Sequence, residues 1–112
     1  MTVDQFMLHD ATIKLMKYKG YTIENELFDG FIIAYDNTEE CLVFADVIDE
    51  THEEKMEDIR LTRRQFEELA LKYMTDHDIP EGRLRYDIFS FTIVGNRALV
   101  KQMLDVELRK EQ

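Results

Sequence analysis

Residues 28–48 read Phe28-Asp29-Gly30-Phe31-Ile32-Ile33-Ala34-Tyr35-Asp36-Asn37-Thr38-Glu39-Glu40-Cys41-Leu42-Val43-Phe44-Ala45-Asp46-Val47-Ile48, and this stretch decides the fold. An Asp-Gly pair between two phenylalanines signals a two-residue hairpin turn, because both turn positions need positive φ. Phe31 to Tyr35 is then the return strand, and Asp36 to Glu40 supplies the next turn. Cys41 to Ile48 is almost wholly apolar, which predicts a strand buried on both faces at the centre of the sheet.

The pattern extends in both directions from this core. Upstream, Tyr21 to Leu27 alternates and reads as a half-exposed strand. Thr2 to Lys19 reads as a helix with capping-box spacing at Thr2 and Gln5 and a stop at Lys19-Gly20. Val3, Phe6, Met7, Ala11, Leu15 and Tyr18 form its expected apolar stripe. Downstream, Asp49 to Arg60 is the most charged segment and reads as a solvated loop. A second helix is expected from Thr62, where Gln65 completes another capping-box spacing, with Phe66, Leu69, Ala70, Tyr73 and Met74 facing the core. The turn at Asp78-Ile79-Pro80-Glu81-Gly82 leads to a fourth strand, Leu84 to Val94. Arg97 to Val100 reads as a fifth, edge strand, and Leu104 to Lys110 as a terminal helix. The order α-β-β-β-α-β with a short tail gives an α/β domain, a mixed central sheet flanked by helices.

Composition bounds the function. A chain of 112 residues holds one domain, residues 1–112, and 45% apolar content suffices for one core. The N-terminus has no basic region ahead of an apolar stretch, and no run is long enough to span a bilayer, so a cytoplasmic protein without membrane contact is expected. Cys41 is the lone cysteine, which suits a reducing compartment, and its apolar neighbours predict a buried residue rather than a nucleophile. The net charge of −10 opposes tight nucleic-acid binding, which needs a basic face, and leaves room for weak association only.

Several segments carry a resemblance. Lys19-Gly20-Tyr21-Thr22-Ile23, Ile32-Ile33-Ala34-Tyr35-Asp36, Val43-Phe44-Ala45-Asp46-Val47 and Arg85-Tyr86-Asp87-Ile88-Phe89-Ser90-Phe91 occur in this order along the chain. They resemble the "GY-x-I", "GEIDLIA-x-D", "VFVEVK" and "RFDVVAF" segments of the YraN-like family, predicted nucleases of the restriction-endonuclease-like superfamily. Ala70-Leu71-Lys72-Tyr73-Met74 resembles that family's "A-x-x-Y-L" helix end. The resemblance implies a restriction-endonuclease-like αβββαβ core. It also implies a site in which carboxylates on adjacent strands hold Mg²⁺ and a lysine two residues beyond the second carboxylate shares its strand face.

Here those positions are altered. Phe31 stands at the first carboxylate, Asp46 at the second and Ile48 at the lysine; His9, beside Asp10, stands at a first-helix glutamate. An aromatic ring cannot coordinate Mg²⁺ and a branched aliphatic chain offers no cation. The leading expectation is a catalytically degenerate nuclease-fold domain with a binding or regulatory role, no cofactor, and Asp46, Asp29 and Asp36 as vestigial candidates. An alternative is a Mg²⁺-dependent nuclease with a site relocated to Asp29, Asp36 and Asp46, its cation drawn from Lys55, Arg63 or Arg64. A third is a non-catalytic interaction module that associates with a protein partner or itself through the Arg97 to Val100 edge. Asp46, in an apolar strand, is expected to pair with Arg85 or Lys101, and Arg85 with Asp87 on a shared strand face. His9, His52 and His77 have no metal-ligand spacing, and His77 suits a helix C-terminus.

Overall fold

A computed structural model describes residues 3–50, 61–79 and 82–108. The capping box expected at Thr2, the charged stretch with His52 and Lys55, and the Pro80 turn fall outside these residues.

Helix α1 spans Val3–Tyr18. Strands β1 (Thr22–Phe28), β2 (Phe31–Asp36) and β3 (Cys41–Asp49) follow as a meander, then helix α2 (Arg63–Asp76), and finally β4 (Arg83–Val94) and β5 (Arg97–Met103). The five strands form one open sheet in sequence order. β3 and β4, joined across α2, run parallel, and every other neighbouring pair is antiparallel. The αβββαββ order makes this an α/β domain with a mixed sheet.

The local chemistry explains the element ends. Asp29 and Gly30 both have positive φ, 49° and 88°, as the β1–β2 turn requires. Asp36 Oδ1 accepts from the backbone N–H groups of Thr38 (3.0 Å) and Glu39 (3.1 Å), fixing the β2–β3 turn. At α2 the Thr62 hydroxyl accepts from Gln65 N–H while Gln65 Oε1 accepts from Thr62 N–H, so the expected capping box is formed. His77 is the C-cap, its ring stacked on Tyr73.

Alternation along the strands sorts the core into two layers. One contains Leu8, Ile13 and Met16 of α1 with Ile32, Ala34, Cys41, Val43, Ala45, Phe89 and Phe91. The other contains Phe66, Ala70, Tyr73 and Met74 of α2 with Phe31, Ile33, Leu42, Phe44, Ile48, Tyr86 and Ile88. The sheet thus lies between one helix and the other, and β3 is buried on both sides as its composition predicts.

Two expectations are corrected. The buried stripe of α1 is not the one read from sequence: Phe6, Met7 and Tyr18 are exposed, while Leu8, Thr12, Ile13 and Met16 face the sheet. Apolar residues occur on two sides of α1, and the buried Thr12 hydroxyl is satisfied by the Leu8 carbonyl at 2.7 Å, so a polar residue sits comfortably on the core side. The terminal segment Leu104–Leu108 is not helical. Its amides are taken by β4: Asp105 N–H donates to Asp87 Oδ1 (3.0 Å) and Val106 N–H to the Tyr86 carbonyl (2.7 Å). Val106 and Leu108 pack on the α2 side of the sheet.

Candidate functional site

The residues singled out in sequence separate onto the two faces. Asp36 pairs in register with Cys41, which belongs to the α1 layer. Asp46 lies five residues further along β3, and an odd spacing points it to the α2 face. Asp29 is exposed in the β1–β2 turn. Asp29, Asp36 and Asp46 therefore do not converge. Among the described residues no three His, Cys, Asp or Glu side chains are grouped to hold a metal ion.

On the α2 face, Asp46 accepts a hydrogen bond from the Tyr86 hydroxyl at 2.7 Å. Arg85, one of the two partners expected for Asp46, is committed instead to Asp36 and Asp87 on the opposite face. Burial pushes the Tyr86 phenol up, and the negative charge and hydrogen bond of Asp46 push it further. The surroundings are aromatic. Phe31 packs edge-on against Phe44 and Tyr86, with centroids 6.4 and 6.0 Å apart, and Phe66 packs against Phe44 and Tyr86 at 5.3 and 5.6 Å. Ile48 is buried in the same layer. Phe31, Phe44, Phe66 and Tyr86 thus interlock on the face that carries Asp46, in edge-to-face geometry that is itself favourable.

On the α1 face, Arg85 and two carboxylates form a buried network. Arg85 Nη1 donates to Asp36 Oδ2 at 2.8 Å. Its Nε and Nη2 donate to the two oxygens of Asp87 at 2.9 Å each, a bidentate pair. Nη2 also donates to the Tyr21 hydroxyl at 2.8 Å. All three charged residues are under 5% exposed. Gln102 of β5 donates toward Tyr21 and Asp87 at 3.4 Å and accepts from Lys19. Burial would raise the Asp36 carboxyl, but the Glu39 amide, the Arg85 hydrogen bond, the Thr38 amide and the Arg85 charge outweigh it and hold the group below its ordinary value. The Arg85–Asp87 pair is the one read from sequence. Asp36, Tyr21 and Gln102 were missed as its partners, because nothing local to those positions reveals which elements the fold gathers around Arg85.

The remaining candidates are peripheral. Arg63 and Arg64 are exposed and pair with Glu67 and Glu68 along α2, each at 3.3 Å. His9 is half-buried on α1 beside Phe6, Asp10, Ile13, Glu26 and Leu27, and burial lowers its pKa. Cys41 is a free, buried thiol whose pKa burial raises, as expected of a core residue. Among the described residues no helix is long and apolar enough to cross a membrane.

The fold and these two clusters define a small α/β domain with a mixed five-stranded open sheet, an aromatic layer on one side and a buried ion network on the other. No protein-family model and no curated protein matches the sequence.

Proposed function

We propose that this chain is a catalytically degenerate domain of the restriction-endonuclease-like kind, related to the YraN-like family, that acts by binding or regulation through protein contacts. The αβββαβ order, the mixed sheet and the helix on each face support the scaffold reading. The observation that carries the loss of catalysis is the aromatic cluster of Phe31, Phe44, Phe66 and Tyr86 on the face that carries Asp46, with the Tyr86 hydroxyl on its carboxylate. A nuclease site of this kind needs two or more oxygen ligands and a cation against the scissile phosphate. The two other matching positions instead carry buried apolar side chains, Phe31 and Ile48. The relocated-site alternative draws no support from Asp36, whose two oxygens are engaged by its own turn and by Arg85.

A plasmid-nicking assay with Mg²⁺ or Mn²⁺ tests the proposal. The expected result is no metal-dependent cleavage. Cleavage that disappears in Asp46→Ala would overturn it.

A further inference from the structure

The exposed apolar side chains are not spread evenly. Of the ten large ones among the described residues, five fall between positions 93 and 104: Ile93, Val94, Leu99, Val100 and Leu104. Four lie on the β4–β5 hairpin and Leu104 follows it directly. Among the described residues β3 reaches to Asp49, paired with Phe91, and beyond that point β4 pairs with β5 alone, as a two-stranded ribbon. Such a ribbon is marginal by itself and gains from being covered. β5 also ends the sheet, and its regular seven-pair register with β4 has no bulge. The opposite edge, β1, is interrupted by two register shifts and carries Glu24 and Glu26, features that blunt an edge against further pairing.

Charge permits a second copy as the occupant. The chain carries 24 acidic residues, yet none lies between Asp87 and Asp105, and the segment holds Arg97 and Lys101. In a molecule of net charge −10, this acid-free hairpin is a place where two copies can meet without bringing carboxylates together.

Symmetry then selects the register. Under a two-fold axis normal to the sheet, antiparallel β5 strands pair residues of like face, so the numbers of opposing residues sum to an even value. Centring on Leu99 sets Arg97 against Lys101, and centring on Lys101 sets that residue against itself; both oppose like charges. Centring on Val100 overlaps the whole of Arg97–Met103, sets Arg97 against Met103 and Lys101 against Leu99, and brings the tip of each hairpin beside the Met103–Leu104 end of the other.

We propose that the protein forms a two-fold dimer by antiparallel β5–β5 pairing centred on Val100, giving one continuous ten-stranded sheet. This names the partner left open by the binding reading and rests on it only in treating the hairpin as a contact surface. The nicking assay and the oligomer assay fail independently.

Sedimentation equilibrium on the full chain over a wide concentration range tests it. The wild type should dimerise. Val100→Lys and Val100→Asp, each at an exposed position, should each weaken self-association roughly tenfold or more, because like charges then meet at the axis. Mixing the two variants should restore a heterodimer, which a merely structural role for Val100 would not produce. Circular dichroism melts confirm that each variant folds. A wild type that stays monomeric throughout, or a dimer indifferent to both substitutions, overturns the proposal.

Discussion

The two faces of the sheet solve the same packing problem with opposite chemistry. On the α2 side, four rings interlock, and one of them, Tyr86, gives a neutral donor to the Asp46 carboxylate. On the α1 side, beyond the end of the helix, a guanidinium and two carboxylates fill the space and satisfy one another. The difference teaches where each face is fragile. An aromatic layer loses contact area when it is cut, whereas a buried ion network is left with an uncompensated charge, which costs more.

The largest expected effect follows from that contrast. Arg85→Met strands Asp36 and Asp87 without a counter-ion and should lower unfolding free energy by about 3–5 kcal/mol, read from urea denaturation. Phe44→Leu, a smaller perturbation in the aromatic layer, should cost about 1–2 kcal/mol in the same assay. If Phe44→Leu proves the more damaging, the contrast between the faces is wrong. Tyr86→Phe removes the donor to Asp46 and should cost about 1–2 kcal/mol.

Titration separates the faces in another way. The folded Asp36 carboxyl lies below its ordinary value of 3.8, so its contribution is fully present above that pH and is lost as the pH falls through the folded value. The Tyr86 phenol lies above its ordinary 10.0, so its contribution is present below that pH and is lost as the pH rises. Acid should therefore loosen the α1 face and alkali the α2 face. Thermal melts across pH check this: Tyr86→Phe should reduce the alkaline loss and leave the acid limb unchanged. The smallest effect is local. Thr62→Ala breaks the capping box of α2 and should cost about 1 kcal/mol.

Much of the fold was legible because its signals are local. Asp29-Gly30 announces a turn through the φ angles it tolerates, Thr62 and Gln65 announce a helix start through their spacing, and the apolar run from Cys41 announces a central strand. The α1 stripe was misread because that helix is apolar on two sides, and periodicity alone cannot say which side the sheet will take. The tail was misread because Asp87 and Tyr86, nearly twenty residues away in sequence, claim its amides. At the candidate site, the Arg85–Asp87 pair was readable from an i, i+2 spacing within one strand. Asp46 does not meet Arg85 because strand parity places Arg85 on the other side of the sheet, a fact fixed only when β3 and β4 are laid in register.

The carboxylate of Asp36 binds its own turn with one oxygen and a residue 49 positions away with the other. A kinetic consequence follows. The β2–β3 turn can form early, but its anchor acquires its final partner only once β4 has docked beyond α2, so local and remote order are completed together. Amide protons of Thr38 and Glu39, though they sit in a surface turn, should then exchange with the rhythm of the whole molecule opening rather than with that of a fraying loop.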